Sequence, residues 1–282
     1  MAVEKLTSPP SLARTLVRAA ATAKGRSGSA LPDRTLVREG VRVDRDALLG
    51  YQRVCGFGVN DVLPHTYPHV LGFPMQAELM VRKDFPLAMP GLVHIENVIT
   101  VHRQLTADDM LDIAVRADRL VPHRRGRTVD LVTEVTVGRE RAWEGRSTYL
   151  ARGRGSDEAA AAQEPPAMPA GQPAAVWRLP ESLGRRYASV SGDVNPIHLH
   201  ALTARTMGFR SAIAHGMWTY ARTLAALGPD TARPCTSHVW FKKPVFLPGS
   251  VELHVDRSGD QTVAGLATAR KPETEHLLIT LG

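Results

Sequence analysis

Hydrophobic and polar positions change their period several times along the chain, and these changes predict an order of helices and strands. In the second half, a helical period over residues 180–190 is followed by a polar loop, a short helix over 199–207 and a longer helix over 217–227. Apolar runs between turn-forming residues then predict four strands, over 238–246, 250–257, 261–270 and 275–281. Helices followed by consecutive strands are typical of an α+β unit.

The first half repeats this order. A strand over residues 34–43 precedes a helix over 44–54, for which Asp44 is a suitable N-cap. An apolar helical segment over 70–81 follows. Four strand-like runs then cover residues 93–103, 110–117, 128–137 and 142–151. The repeated order predicts a duplicated architecture, with a long helix wrapped by an antiparallel sheet in each half. Such a pair of units in one chain is a double hot-dog, an α+β fold.

The segment over residues 153–175 is rich in Gly, Ala, Pro, Gln and Glu and has no convincing period, which is typical of a linker. We therefore divide the chain into four parts. These are an N-terminal extension over 1–33, a degenerate hot-dog unit over 34–152, the linker over 153–175, and a catalytic hot-dog unit over 176–282.

Composition narrows the functional class. The chain has 282 residues, a net charge of +7 and only 5% aromatic residues. Scattered arginines and few aromatics argue against a nucleic-acid surface, whereas a phosphate-bearing carrier such as coenzyme A, or an acidic carrier protein, suits the charge. Cys55 and Cys235 lie far apart and in no metal spacing, which indicates a reducing, cytoplasmic location. No apolar run reaches the length of a membrane span.

The polar loop of the second half holds the candidate chemistry. Asp193 and His198 lie in one tight bend whose backbone Pro196 stiffens, and Asn195 can hold that bend through an Asx-type turn. The carboxylate and the imidazole can therefore converge on one small polar molecule. Such a pair can bind a water and move protons in both directions, because histidine titrates near neutrality.

Gly216 opens the long helix over 217–227. Its amide N–H lies among the unpaired donors of a helix N-terminus, at the positive end of the helix dipole. The missing side chain lets a substrate carbonyl approach closely. This arrangement predicts an oxyanion hole for a thioester enolate.

The first half lacks the acid/base pair. When residues 51–57 are aligned with 187–193, the apolar and glycine positions agree, but Phe57 stands in the place of Asp193. Val62 then stands in the place of His198. We therefore expect the reaction to take place in the second half only.

The stretch from Tyr187 to Met217 resembles the hydratase 2 motif of the MaoC-like dehydratase family. The matching positions are Tyr187, Gly192-Asp193-Val194-Asn195-Pro196-Ile197-His198, Ala204 and His215-Gly216-Met217. The whole chain is similar to the double hot-dog dehydratases of actinobacteria, which act in fatty acid metabolism.

The resemblance implies reversible, (R)-specific removal of water from 3-hydroxyacyl thioesters of CoA or acyl carrier protein, without a metal or redox cofactor. It assigns catalysis to Asp193 and His198, binding of the thioester oxygen to Gly216, and a supporting role to Asn195. Acyl chain length and the formation of a homodimer stay open.

Other interpretations of the same residues stay open. His198, His200 and His215 could form a metal cluster, although no further matching ligands accompany them. Asp193 alone could be a helix N-cap, and His215 is interpreted as a local structural residue at the helix start. Two other functions also fit a hot-dog chain. These are an acyl-CoA thioesterase and a non-catalytic subunit that binds acyl thioesters.

Overall fold

The computed structural model describes residues 2–22, 26, 28–156, 163–231 and 233–282. The chain forms two units, each built from two segments. Unit 1 comprises Met1–Val43 and Pro68–Gln163, and unit 2 comprises Asp44–Tyr67 and Glu164–Gly282. Residues 157–162 of the predicted linker, and residues 1, 23–25 and 27 of the predicted extension, lie outside the described residues. The four predicted parts and their boundaries stay a prediction.

The described residues of the first half form three helices and six strands. In chain order these are β1 (Ala2–Lys5), α1 (Leu12–Ala21), β2 (Arg34–Val41), α2 (Arg45–Cys55), α3 (Tyr67–Val81), β3 (Leu92–Val101), β4 (Leu111–His123), β5 (Gly126–Val137) and β6 (Glu140–Arg152). The strands of unit 1 follow the order β1-β2-β4-β5-β6-β3, and all neighbours are antiparallel except β1 and β2.

Helix α3 packs on the sheet of unit 1. Its residues Met75, Leu79 and Met80 are buried. Gln76 donates from Nε2 to Thr133 Oγ1 on β5 at 2.9 Å. The helix is predominantly apolar in sequence, as expected for the buried helix of a hot-dog unit.

In the second half, the part of the chain that the structure describes forms four helices, one 3₁₀ turn and five strands. These are β7 (Ala175–Leu179), α4 (Leu183–Ser191), α5 (Pro196–Leu199), α6 (Ala201–Thr206), α7 (Gly216–Leu227), the 3₁₀ turn (Gly228–Thr231), β8 (Cys235–Phe241), β9 (Gly249–Asp256), β10 (Thr262–Thr268) and β11 (Lys271–Leu281). The sheet of unit 2 has the antiparallel order β8-β11-β10-β9-β7. Helix α7 packs on this sheet, and Tyr220 hydrogen-bonds with Ser237 on β8.

The predicted α+β elements are present in both halves, with ends that differ by a few residues. Two features differ from the prediction. Strand β1 pairs in parallel with β2 and was not expected. The single helix predicted over 199–207 is divided into α5 and α6, because His200 has an extended backbone with φ −146° and ψ 146°. The division matters because it leaves His198 on a separate one-turn helix. None of the described helices is both long and apolar enough to cross a membrane.

Helix α2 comes from the first half of the chain but belongs to unit 2. Trp218 on α7 donates from Nε1 to the carbonyl of Val54 at 3.0 Å. The Tyr51 ring lies 6.1 Å from the Tyr187 ring on α4, measured between centroids. Helix α2 and helix α4 also end alike, with Gly56 and Gly192 in the left-handed conformation at φ 79° and φ 74°. Unit 2 therefore contains the corresponding helices of both sequence halves.

We predict that Tyr51→Ala destabilises unit 2. Tyr51 is fully buried, and its hydroxyl lies 2.7 Å from Thr66 Oγ1, so the truncation leaves a cavity and an unpaired hydroxyl. The expected loss is about 3 kcal/mol or more, measured by urea unfolding. Val59→Ala is the control, because Val59 is 63% exposed. Equal stability of the two variants would contradict the role of α2 in unit 2.

Candidate active site

The site begins where helix α4 ends. Gly192 takes the left-handed conformation there, which turns the chain out of the helix and starts the loop at Asp193. The Asp193 N–H donates to Ser191 Oγ at 3.2 Å. Its Oδ1 accepts a hydrogen bond from the Asn195 N–H at 3.2 Å. Both bonds fix the aspartate within its own loop, and they engage only one of its two carboxylate oxygens.

Asn195 shapes the next turn of the loop. Its Oδ1 accepts from the Ile197 N–H at 3.4 Å, and Pro196 occupies the first position of helix α5. The N-cap of this helix is therefore Asn195, and Asp193 does not cap it. The short helix presents His198 to the protein interior, where the side chain is 8% exposed.

One hydrogen bond fixes the tautomer of His198. Its Nδ1 lies 2.8 Å from the carbonyl oxygen of Ile213 and must donate to it, because a carbonyl oxygen only accepts. The lone pair is therefore on Nε2. Burial lowers the pKa of His198, although the charge of Asp193 opposes this effect. His198 is thus a neutral base near pH 7.

Helix α4 and helix α5 approach so closely that one position between them excludes a side chain. A Cβ atom on Gly184 would lie 1.8 Å from the His198 carbonyl oxygen. No side chain fits at that distance from a backbone atom, so the glycine permits the contact that places His198. This requirement was not predicted from the sequence.

His215 contacts both members of the pair. Its Nε2 donates to the Asp193 carbonyl oxygen at 2.9 Å and lies 3.8 Å from Asp193 Oδ2. Its ring stacks on the His198 ring with 3.7 Å between centroids and 25° between planes. Tyr187 lies 4.9 Å from the ring of His215. Burial, and to a smaller extent the neighbouring His198, lower the pKa of His215 to about 3, while Asp193 opposes the shift.

The three side chains converge. One carboxylate oxygen of Asp193, one ring nitrogen of His198 and one of His215 all lie within 4.8 Å of one another. The sequence predicted the approach of Asp193 and His198, whereas it gave His215 only a local role at the helix start. The position of His215 immediately before Gly216 was the one available indication that its side chain would reach the same place.

The same three residues offer one oxygen and two nitrogens to a metal ion. Their arrangement does not favour a metal site, because imidazole lone pairs lie in the ring plane and the two rings are nearly parallel. His198 Nδ1 and His215 Nε2 are also engaged by backbone oxygens. The geometry favours binding of a polar molecule and proton transfer.

Gly216 is the first residue of helix α7, so its N–H has no carbonyl one turn earlier within the helix. A Cβ atom at this position would lie 3.1 Å from Phe241 Cε1, which is a very tight contact. Glycine is therefore suited to this position both by packing against Phe241 and by the access it gives to the amide.

A cavity of about 240 Å³ lies elsewhere in unit 2, at the start of β8. Its lining includes Asp230, Arg233 and Arg257. Arg257 Nε is 2.9 Å from Asp230 Oδ2, so the guanidinium charge of Arg257 is paired with this carboxylate. Because the cavity includes none of the residues of the Asp193 loop, we do not assign the chemistry to it.

Comparison with known proteins identifies the family. A family model described as a MaoC like domain matches residues 159–276. The chain is 40% identical over 246 residues to 3-hydroxyacyl-thioester dehydratase X of Mycobacterium tuberculosis, and the match covers 84% of this chain and 86% of that protein. The chain belongs to the MaoC-like dehydratase family. The family resemblance of the motif around Asp193 is thereby confirmed for this MaoC-like protein.

Solved structures agree with the fold. The crystal structure of HtdX from M. tuberculosis has a TM-score of 0.77 and 37% identity, over 88% of this MaoC-like protein and 99% of that chain. A MaoC-like dehydratase from Phytophthora capsici has a TM-score of 0.74 at 18% identity, over 89% and 94% of the two chains. The prediction of a double hot-dog α+β fold is confirmed.

We predict that acid destabilises the MaoC-like protein in part through His215. Its pKa is about 3 in the folded chain and near 6.5 when unfolded, so the unfolded state binds more protons between these values. Its contribution to stability is complete above pH 6.5 and is lost towards pH 3, by about 1.4 kcal/mol per pH unit. Urea unfolding at pH 6.5, 5.5 and 4.5 measures how steeply the free energy of unfolding falls with pH. This slope should be shallower in His215→Gln than in wild type. An unchanged slope in this variant would contradict the assignment.

Proposed function

We propose that this MaoC-like protein is a hydro-lyase that reversibly dehydrates (3R)-3-hydroxyacyl thioesters to trans-2-enoyl thioesters in fatty acid metabolism. The observation that carries the proposal is the convergence of the Asp193 carboxylate and the His198 imidazole beside the N-terminus of helix α7. The relative named 3-hydroxyacyl-thioester dehydratase X supports the substrate class, because the match covers 86% of its length.

Asp193 and His198 form the acid/base pair of the proposed reaction. Asp193 offers a carboxylate oxygen, and the proton of His198 Nδ1 is engaged by the Ile213 carbonyl. In the hydration direction, the pair accepts a proton from the water that attacks C3. The same proton is then available for C2, either directly or after passing between the two groups. Elimination is the reverse, in which the proton from C2 leaves with the C3 hydroxyl as water.

The Gly216 amide has a separate role in the proposed reaction. Addition of water to C3 places negative charge on the thioester oxygen as an enolate. The Gly216 N–H at the start of α7 donates to that oxygen, and the helix dipole adds to the stabilisation. Gly216 follows His215 directly, so this donor is one residue away from the side chain that contacts both Asp193 and His198.

The carrier and the cellular location are part of the same proposal. A net charge of +7 suits the phosphates of CoA or an acidic carrier protein. Cys55 and Cys235 are both buried as free thiols, which supports a reducing, cytoplasmic location. The thioester is expected to react without a metal or redox cofactor. A homodimer stays compatible with the proposal.

We predict that Asp193→Asn and His198→Ala each lower the hydration of crotonyl-CoA by about 10²-fold or more. Loss of absorbance at the enoyl-thioester band measures the rate, and circular dichroism checks the fold. His200→Ala is the matched control, because this histidine is exposed at the start of α6 and should retain wild-type turnover. Near wild-type turnover of either site variant would reject the assignment. Release of free CoA thiol would indicate a thioesterase instead.

We predict that kcat/KM for hydration falls in acid with a midpoint below pH 6.5. The neutral form of His198 is the base, and burial lowers its pKa, so the active form persists below the ordinary titration range of histidine. The profile should be measured between pH 5 and 8 with the fold checked at each point. A midpoint above pH 6.5 would mean that the charge of Asp193 outweighs burial.

A further inference from the structure

We propose that His215 is a positioning residue, which holds Asp193 and His198 in the relative geometry that the dehydration requires. This inference rests on the proposed function of those two residues. It gives a functional role to a side chain that the sequence analysis treated as structural.

The first support is that one side chain contacts both partners through different parts. The Nε2–H of His215 binds the Asp193 main-chain carbonyl at 2.9 Å. The flat face of the same ring lies against His198, with 3.7 Å between the ring centroids. The distance between the carboxylate and the reactive imidazole therefore depends on where this ring sits.

The second support is an unpaired atom. His215 Nδ1 is buried and has no hydrogen-bond partner among the described residues, and the side chain is 2% exposed. A buried polar atom without a partner destabilises a folded protein. An apolar residue would avoid this unpaired nitrogen but would leave the Asp193 carbonyl without its donor. We infer that the histidine is present for its Nε2–H and its flat ring.

The third support is charge. The titratable groups that face His215 are Asp193, His198 and Tyr187. His198 accepts a proton during turnover, and a positive charge on a ring 3.7 Å away would oppose that step. Burial keeps His215 neutral, with a pKa of about 3. It can therefore hold its two neighbours without disfavouring the protonated form of His198.

Two amide variants separate positioning from proton transfer. The amide nitrogen of Gln can take the place of His Nε2, whereas the amide nitrogen of Asn corresponds to Nδ1 and cannot reach the Asp193 carbonyl. Neither amide titrates. We expect His215→Gln to keep kcat for crotonyl-CoA hydration within about fivefold of wild type, and His215→Asn to lose about 10- to 100-fold, because small misplacements of reacting groups are costly. KM should change less than kcat in both variants.

The control is His276→Asn. His276 is a buried histidine of the same unit, and its ring bonds the Lys243 carbonyl and Thr268 Oγ1 at 3.0 and 2.9 Å. Thermal denaturation should show that this variant is destabilised about as much as His215→Asn. Its kcat should nevertheless stay at the wild-type value. The acid midpoint of kcat/KM should be the same in His215→Gln as in wild type, because His215 does not provide the titration.

Two outcomes would overturn the inference. Wild-type kcat in His215→Asn would show that the ring positions nothing. A kcat in folded His215→Gln below a tenth of wild type, with loss of the acid limb, would make His215 a proton-transfer group. If the Asn variant does not fold, the Gln variant decides alone. Failure of the proposed function is a separate result, since wild-type protein would not hydrate crotonyl-CoA or Asp193→Asn would still do so.

Discussion

Burial of two stacked imidazoles beside one carboxylate is the constraint on which the site depends. In water, both histidines would titrate near pH 6.5 and would repel each other when protonated. In the protein, desolvation lowers the pKa of His198 and of His215 even though Asp193 is close enough to oppose it. The backbone carbonyls of Ile213 and Asp193 then select one tautomer for each ring. The result is a neutral base whose lone pair is fixed on Nε2.

Completion of unit 2 requires a helix from the other half of the sequence. Helices α2 and α4 each end at a glycine in the left-handed conformation. The residue that follows this glycine is Phe57 after α2 and Asp193 after α4. Phe57 lies near Tyr51, with 6.4 Å between ring centroids, and the Tyr51 ring in turn lies close to Tyr187. The duplicated turn thus ends in an aromatic contact in one copy and in a carboxylate in the other. Under the proposed function, this difference gives the scaffold a packing role in its first copy and a chemical role in its second.

The sequence predicted the fold class, most of the strands and helices, and the loop that brings Asp193 and His198 together. These features depend on local patterns, namely apolar period, turn residues and a proline-stiffened motif. It did not predict the membership of α2 in unit 2, the close contact at Gly184 or the position of the His215 side chain. Each depends on residues that are distant in sequence, with His198 and His215 separated by a loop and helix α6. Local periodicity contains no information on such contacts.

The hydrogen bonds of Asp193 limit what the site can bind. Its N–H, its carbonyl oxygen and its Oδ1 are engaged by Ser191, His215 and Asn195. The second carboxylate oxygen, Oδ2, remains available as a hydrogen-bond acceptor. His198 contributes a second acceptor, the lone pair of Nε2. Two acceptors match the two hydrogens of one water molecule. A site with two acceptors suits addition and removal of a single water. In the proposed reaction, the water oxygen, with its hydrogens held, directs a lone pair at C3 of a thioester whose carbonyl accepts a hydrogen bond from the N–H at the start of α7.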